Sequence, residues 1–283
     1  MKGAWLVDQG SPDITSAFRV TRLVHTEQTP YQHLEIYDSA IFGRMLVLDG
    51  AVQTTEREEF VYHEMLAHPA LCTHPAPKRV LIIGGGDGGA LEEALKHPLE
   101  AATLVEIDEA VVRTSREYLS GVAGRAFEDS RANLVIGDGI AYAGETSERF
   151  DVVMVDSTDP QGPAVGLFAP EFYGTIRRRL TPGGLLVVQS GSAIYQGDLI
   201  RSVRRTLRPF FPVVRTYVAA VVEYPGTLWS FTVGSLGPDP LAVTAETIAK
   251  RTEGFRLRYY TPVVHRAAFD APPFLREATE SDT

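Results

Sequence analysis

Cysteine is almost absent from this chain, because Cys72 is the only one among 283 residues. A single cysteine excludes an intrachain disulfide and any metal site built from several cysteines, and we expect Cys72 to be buried and inert. Long apolar runs are absent too. No stretch approaches the roughly 20 apolar residues that span a bilayer, and the first residues do not join a basic segment to an apolar one. We therefore expect a cytoplasmic protein with no membrane partner.

Positive charge is also scarce, since 27 lysines and arginines stand against 36 aspartates and glutamates, a net charge of −9. This balance disfavours nucleic acid as a partner and suits small cationic ligands. With 44% apolar residues, the chain can bury a sizeable core, in one large domain or in a small and a larger one. Alternating strand-like and helix-like segments indicate an α/β protein.

The first part of the chain, 1–56, has the pattern of a small antiparallel β domain. Short alternating runs at 18–24, 33–37 and 45–48 are separated by turns that contain glycine. Such runs predict β-hairpins. Their outer edges offer surfaces that could pair between subunits.

A linking segment, 57–77, is predicted to hold one helix and a hinge. Thr55 and Glu58 form a capping-box pattern, so a helix should follow them and stop near Pro69. The proline-rich stretch 74–77 is the predicted hinge into the second domain.

The remainder, 78–283, repeats the order strand, turn, helix and is predicted to be a Rossmann-like catalytic domain. Continuous apolar runs such as 152–155 and 185–188 are typical of parallel strands buried on both faces. The fold predicted is a doubly wound, mostly parallel seven-stranded sheet, whose ligands bind beyond the carboxyl ends of the strands. The predicted strands are 79–83, 102–107, 133–137, 151–156, 184–189, 213–222 and 229–234, and the predicted helices begin near Ala90, Glu109, Gly139, Pro170 and Gly197.

A glycine-rich loop, Gly-Gly-Gly-Asp-Gly-Gly at 84–89, follows the first of these strands. The loop satisfies a dinucleotide-binding spacing, in which glycines let the backbone approach a pyrophosphate. The carboxylate of Asp87 in its middle would repel a pyrophosphate at close range. The loop therefore predicts a nucleoside ligand whose other end is cationic, although a glycine-rich turn can also serve tight packing alone.

Acidic side chains also follow the next three strands. Glu106 stands 20 residues after Gly86 of the loop, where a carboxylate usually binds the ribose hydroxyls of a nucleoside. Asp138 follows the third strand, and Asp156 with Asp159 follows the fourth. Each could instead cap a helix or form a turn. Together they indicate one site at the carboxyl edge of the sheet.

Two histidines in the linking helix resemble a zinc motif at first sight. The spacing of His63 and His68 turns their side chains about 140° apart, whereas zinc ligands at i and i+4 share one face. We therefore expect no metal site. Tyr62 and His63 could bind a ligand or merely face the other domain.

Taken in order, these motifs resemble the polyamine aminopropyltransferases, the family that includes spermidine synthase. The likeness covers roughly 18–275. It is carried by Tyr31-Gln32, Leu48-Asp49-Gly50, Gln53-Thr54-Thr55-Glu56-Arg57, Tyr62-His63-Glu64-Met65, the run from Leu81 to Gly89, Val105-Glu106-Ile107-Asp108, Gly137-Asp138-Gly139, Asp156-Ser157-Thr158-Asp159-Pro160, Gly162-Pro163, Tyr259-Tyr260 and His265-Arg266-Ala267-Ala268-Phe269.

The resemblance implies the fold of S-adenosylmethionine methyltransferases and an enzyme that moves an aminopropyl group from decarboxylated S-adenosylmethionine to putrescine. Spermidine and 5′-methylthioadenosine would be the products. It implies no permanently bound cofactor, and a homodimer or homotetramer.

The resemblance also implies roles for individual residues. Asp156 would be the proton acceptor, assisted by Tyr62, and Asp87 would bind the ammonium of the aminopropyl arm. The thioadenosine part would be held by Gln32, Glu106, Asp138, Gly139 and Pro163. The acceptor amine would meet His63, Asp87, Asp156, Asp159, Gln189 and Tyr224.

One departure from the family pattern leaves undecided which amine accepts the aminopropyl group. Glu223 stands where the family usually has threonine, so it could favour agmatine, or it could face solvent. Cadaverine and longer polyamines are further alternatives. Other classes weighed are an S-adenosylmethionine methyltransferase, a binding protein without catalysis, and an NAD-dependent dehydrogenase, which Asp87 disfavours.

Overall fold

Residues 3–8 and 14–280 of the chain are described by the computed structural model. The N-terminal part forms two antiparallel sheets, one of two strands and one of four. Their strands are β1 (Ala4–Val7), β2 (Ala17–Val20), β3 (Arg22–Gln28), β4 (His33–Ser39), β5 (Gly43–Leu48) and β6 (Ala51–Thr55). The antiparallel N-terminal fold predicted from the alternating runs is confirmed.

The predicted run 18–24 divides between the two sheets. The chain bends at Thr21, whose backbone N–H donates to the Asp38 carbonyl 2.8 Å away. β2 therefore pairs with β1, and β3 pairs with β4. Neither β1 nor β6 was predicted.

The linking helix, α1 (Glu59–Thr73), does not begin with the predicted capping box. Glu58 is its N-cap residue and makes no side-chain cap bond. Thr55 ends β6, and its hydroxyl is buried with no hydrogen-bond partner. The capping-box prediction is wrong because Thr55 belongs to the sheet and faces its interior.

The predicted end of this helix near Pro69 is also wrong, since α1 continues through Pro69 to Thr73. Proline has no N–H to donate to the carbonyl of Met65, one turn earlier. The hydroxyl of Tyr217 donates to that carbonyl instead, at 2.7 Å. Every residue from Val61 to Thr73 is buried, so tertiary packing stabilises a helix that its proline would otherwise interrupt.

The second part contains the seven-stranded sheet, in the order β12-β13-β11-β10-β7-β8-β9. Four neighbouring pairs are parallel, and β13 runs antiparallel to both β11 and β12. Its strands are β7 (Arg79–Gly84), β8 (Ala101–Glu106), β9 (Ala132–Ile136), β10 (Phe150–Asp156), β11 (Leu180–Ser192), β12 (Val213–Ala220) and β13 (Leu228–Ser235). The mostly parallel, doubly wound sheet predicted from the apolar runs is confirmed.

Helices accompany these strands, and further helices follow the last strand in the chain. They are α2 (Gly89–Leu95), α3 (Glu109–Tyr118), α4 (Ser120–Ala123), α5 (Gly139–Glu145), α6 (Pro170–Arg179), α7 (Gly197–Leu207), α8 (Ala245–Arg251), α9 (Pro262–Ala268) and α10 (Pro273–Glu280). Short 3₁₀ helices occupy Ala126–Glu128, Gly162–Phe168 and Pro240–Ala242. Within the described ranges, no helix is both long enough and apolar enough to cross a membrane.

The central strands are apolar on both faces because each face carries its own core. Val152 and Met154 belong to the cluster beneath α1, and Val153 and Val155 belong to the cluster on the opposite face. Cys72 is buried, as predicted. Since β7, β8 and β10 are parallel, their carboxyl ends meet at one edge, above which the N-terminal sheet lies.

The hydrogen bond from Tyr217 to the Met65 carbonyl predicts that the hydroxyls of two buried tyrosines contribute differently to stability. Tyr217→Phe should lower the free energy of unfolding by about 1–2 kcal/mol, because the Met65 carbonyl loses its donor. The matched control is Tyr173→Phe, because the Tyr173 hydroxyl is buried without a partner. That change should be neutral or stabilising in urea denaturation. Equal losses from the two variants would contradict this account of α1.

Candidate active site

A cavity of about 470 Å³ lies at the carboxyl edge of the sheet. Leu46, Leu48 and Val52 of the N-terminal sheet cover one side of it. All the sequence-predicted site residues line it: Gln32, Tyr62, His63, Asp87, Glu106, Asp138, Gly139, Asp156, Asp159, Pro163, Gln189 and Tyr224. The structure therefore brings together residues from both parts of the chain.

The glycines of the loop at 84–89 make room for other side chains of the site. Gly85 has a φ of +69°, and a Cβ there would lie 2.6 Å from Oδ2 of Asp156. A Cβ at Gly89 would lie 2.3 Å from the ring of His63. Gly85 and Gly89 thus lack side chains because the carboxylate of Asp156 and the imidazole of His63 pack directly against the loop backbone.

Asp87 is held in this loop by two contacts. Its Oδ1 accepts a hydrogen bond from the Gly89 N–H at 2.9 Å and lies 3.5 Å from Nε2 of His63. Burial alone would raise the pKa of Asp87, but the charge of His63 and these contacts outweigh burial and lower it. Asp87 is therefore an ionised carboxylate enclosed in the protein.

The other ring nitrogen of His63 contacts a residue that the sequence analysis missed. Nδ1 lies 2.7 Å from Oε2 of Glu59, four residues earlier on α1. Burial opposes a charge on His63, yet Asp87 and Glu59 together raise its pKa well above the usual value. The i, i+4 spacing of a glutamate and a histidine could have pointed to this pair.

Asp156 ends β10 beside Asp87. Its Oδ1 accepts a hydrogen bond from the Tyr62 hydroxyl at 2.8 Å, whereas its Oδ2 is buried and has no partner. Burial first, and then the charge of Asp87, raise the pKa of Asp156 to about 6. Burial also keeps Tyr62 protonated by raising its pKa. Asp156 thus combines a raised pKa with one oxygen that has no hydrogen-bond partner.

Asp159 lies at the other end of the same loop, between two amides. Gln196 Nε2 donates to its Oδ2 at 2.6 Å, and Gln189 Nε2 lies 3.4 Å from its Oδ1. Burial raises the pKa of Asp159, and these two hydrogen bonds oppose that shift. Neutral donors leave the negative charge in place for a cationic ligand. Gln196 was not predicted, because its place here depends on the loop before α7.

Tyr224 closes this end of the cavity. Its hydroxyl donates to the backbone carbonyl of Gln53 in the N-terminal sheet. Its ring contacts those of Tyr62 and Trp229, at centroid distances of 5.7 and 4.6 Å. These rings form an apolar wall between the two acidic positions Asp156 and Asp159, which suits the methylene chain of an alkyl amine.

The opposite end of the cavity has the features of a nucleoside site. Glu106 accepts hydrogen bonds from the Gly86 and Asp108 N–H groups, and burial raises its pKa to about 7. Gln32 donates to Asp108, which also accepts from the Thr29 hydroxyl. Asp108 caps α3 and ties the N-terminal sheet to the catalytic edge, a role that sequence alone did not predict.

Asp138, Gly139 and Pro163 complete this end. Asp138 is exposed, and its Oδ1 accepts from the Ile140 N–H as the N-cap of α5. The helix-cap interpretation is therefore correct for one oxygen of Asp138, while the residue also lines the cavity. A Cβ at Gly139 would lie 2.3 Å from Ile83, so only glycine fits between the site and β7.

Comparisons with known proteins agree with this geometry. Residues 59–240 match the model of the spermine/spermidine synthase domain, and residues 4–56 match the spermidine synthase tetramerisation domain. The polyamine aminopropyltransferase of Desulforudis audaxviator is 50% identical over 274 residues, covering 96% of this chain and 98% of the relative. That of Moorella thermoacetica is 46% identical and covers 99% and 98%.

Solved structures are similar as well. A spermidine synthase in complex with the transition state analogue AdoDATO has a TM-score of 0.94 at 35% identity, covering 99% of this chain and 96% of its own. The spermidine synthase from Thermotoga maritima has a TM-score of 0.92 at 35% identity, covering 99% and 95%. This chain belongs to the spermine/spermidine synthase family. It is an enzyme of the polyamine aminopropyltransferase type, with the Rossmann-like fold that the resemblance implied.

Glu223, the departure from the family pattern, is buried at 1% exposure. The alternative in which it faces solvent is therefore wrong. It does not line the cavity, and its Oε2 is buried without a hydrogen-bond partner. Burial raises its pKa to about 7, and the charge of His63 opposes that shift.

His68 lies apart from His63, in a buried cluster with His97 and Glu93. Oxygen and nitrogen atoms of His63, Asp87 and Asp156 lie within 4.8 Å of one another. The expectation of no metal stays a prediction.

The raised pKa of Asp156 predicts a cost to folding. Its native value of about 6 exceeds the ordinary 3.8, so stability is lost as the pH rises between these values. Asp156→Asn should therefore raise the free energy of unfolding of the ligand-free protein by about 1–2 kcal/mol at pH 8. Urea denaturation should show the gain shrinking as the pH falls toward 4. An asparagine variant less stable at pH 8 would contradict this assignment.

Proposed function

We propose that this enzyme transfers the aminopropyl group of decarboxylated S-adenosylmethionine to putrescine, forming spermidine and 5′-methylthioadenosine. The observation that carries the proposal is a pair of neighbouring carboxylates, the buried Asp87 in the loop after β7 and the partly buried Asp156 at the end of β10. Asp87 is an ionised carboxylate that lines the cavity together with Glu106, and Asp156 beside it has an oxygen without a hydrogen-bond partner. The normal donor carries an α-carboxylate where Asp87 lies, so repulsion selects the decarboxylated form.

The donor is assigned to the nucleoside end of the cavity. Glu106 would bind the ribose hydroxyls, and Asp87 would bind the primary ammonium of the aminopropyl arm. The remaining donor contacts are assigned to Gln32, Asp138, Gly139 and Pro163. The acceptor amine is assigned to His63, Asp87, Asp156, Asp159, Gln189 and Tyr224.

The reaction needs positioning and the removal of one proton. The nitrogen lone pair of the acceptor attacks the carbon next to the sulfonium, and the carbon–sulfur electrons pass to sulfur, which leaves as a thioether. A diamine ammonium has a pKa near that of lysine, about 10.4, and acidic neighbours raise it further. We therefore assign separate roles: Asp159 anchors the ammonium that stays charged, and Asp156 takes the proton from the attacking nitrogen.

Other acceptors remain candidates within the same chemistry. Agmatine would be favoured if the Glu223 carboxylate met its guanidinium, but Glu223 lies outside the cavity lining. Cadaverine and longer polyamines differ mainly in length. Methyl transfer from S-adenosylmethionine is disfavoured because Asp87 opposes the α-carboxylate of that donor.

Further parts of the proposal concern the whole molecule. We propose a cytoplasmic homodimer or homotetramer, with the N-terminal sheets contributing to subunit contacts, as the match to a tetramerisation domain supports. The division into 1–56, 57–77 and 78–283 stays a prediction. No permanently bound cofactor is part of the proposal.

The test is a product assay with decarboxylated S-adenosylmethionine and a panel of putrescine, cadaverine, agmatine and spermidine, read by mass. We expect spermidine from putrescine as the most rapidly formed product. In the same assay Asp156→Asn should lower turnover by about 10² or more while 5′-methylthioadenosine still binds. A faster reaction with agmatine would show that agmatine, not putrescine, is the acceptor. Methylated products would overturn the assignment of aminopropyl transfer.

A further inference from the structure

Glu59 and His63 form a buried ion pair that the proposed reaction does not yet use. Glu59 is the first residue of α1, and its Oε2 lies 2.7 Å from Nδ1 of His63 one turn later. Their side chains are 11% and 2% exposed. An enclosed pair of this kind is costly to bury unless both charges are satisfied, so its presence beside the reacting groups calls for a reason.

The reason lies on the other side of the imidazole. Nε2 of His63 lies 3.5 Å from Oδ1 of Asp87, so the ring stands between two carboxylates. With a proton on each nitrogen, the ring donates to both of them. With a single proton, one of the two carboxylates would face an imidazole lone pair.

The ionisable groups that face His63, within the described residues, come from several elements. Glu59 and Tyr62 belong to α1 itself. Asp87 comes from the glycine loop, Asp156 from the end of β10, and Glu223 from the loop after β12. Apart from the Tyr62 hydroxyl, all are carboxyl groups. A cation at His63 is therefore the positive charge that these groups share.

We propose that Glu59 is a positioning residue that holds His63 as a doubly protonated cation turned toward Asp87, so that Asp156 stays ionised and can accept the proton of the attacking amine. Glu59 touches neither substrate in this proposal and acts through His63. The proposal rests on the proposed function, because it assigns Asp156 the role of proton acceptor.

The charges around Asp156 fix the sign of the change in its pKa. Asp87 and Asp156 repel each other, and the positive His63 offsets that repulsion at Asp156. If His63 became neutral, Asp156 would hold its proton to higher pH and would be a poorer acceptor near neutrality. Loss of the negative charge of Glu59 therefore raises the pKa of Asp156, because His63 is no longer held as a cation. Direct action of Glu59 on Asp156 would have the opposite sign.

Glu59→Gln separates these two cases. The glutamine oxygen can still accept a hydrogen bond from Nδ1 of His63, so the geometry is kept while the charge is removed. In the pH profile of kcat/KM, we expect the acid limb to shift to higher pH by roughly one unit. At a given pH on the acid side, kcat/KM is then about tenfold lower. Glu59→Asp, which keeps the charge, should return the limb toward the wild-type position.

The matched control is Glu58→Gln, which removes the same charge from the preceding residue, the N-cap of α1. It should leave the acid limb where it is. An equal shift in this control, or a shift of the Glu59→Gln limb to lower pH, would overturn the proposal.

A second measurement does not depend on catalysis. Nitrogen-15 NMR of the histidine side chains in the ligand-free protein should show His63 protonated on both nitrogens at pH 7.5, and on one nitrogen in Glu59→Gln. A neutral His63 in the wild-type protein would overturn the proposal. If the product assay instead shows no aminopropyl transfer, the proposed function fails, while the NMR titration still decides whether Glu59 sets the charge of His63.

Discussion

Two carboxylates lie next to each other at the carboxyl edge of the sheet: the buried Asp87 in the loop after β7 and the partly buried Asp156 at the end of β10. The site depends on Asp87 staying ionised while Asp156 can take up a proton. Two carboxylates whose oxygens lie within 4.8 Å of each other raise each other's pKa, and burial adds to the effect. His63 supplies the compensating positive charge, at 3.5 Å from Asp87. The balance leaves Asp87 ionised and Asp156 with a pKa of about 6. That is a suitable range for accepting a proton at neutral pH.

The fold serves this balance in identifiable ways. Parallel strands bring the loops after β7 and β10 to one edge, and glycines let His63 and Asp156 pack against the loop backbone. Helix α1 carries Tyr62 and His63 into the site from the linking segment. It stays helical through Pro69 because the Tyr217 hydroxyl takes the place of the missing N–H donor.

The predictions that succeeded rest on local patterns. A run of apolar residues such as 152–155 specifies a buried strand, and the residue after it must lie at the carboxyl edge of the sheet. The strands of the large sheet and the acidic residues that follow four of them could therefore be located from the sequence. The resemblance to a family added their roles.

The predictions that failed depend on partners far away in the chain. Pro69 predicts a helix end, because the segment around it does not show that the Tyr217 hydroxyl of β12 replaces its missing N–H donor. Thr55 resembles a capping residue until β5 and β6 pair and draw it into the sheet. Gln196 enters the site through its contact with Asp159, and Asp108 supports the site through its contact with Gln32. Such pairings are set by tertiary structure, which no short segment specifies.

Asp87 is expected to select the adenosyl donor by its charge, and calorimetric binding of the two donors to the wild-type and Asp87→Asn proteins tests this selection. Wild-type protein should bind decarboxylated S-adenosylmethionine far more tightly than the normal form. In the variant that preference should narrow by about tenfold or more, equivalent to about 1.4 kcal/mol. Asp159→Asn, at the acceptor end, should leave it unchanged. An Asp87→Asn protein with the full wild-type preference would contradict the account.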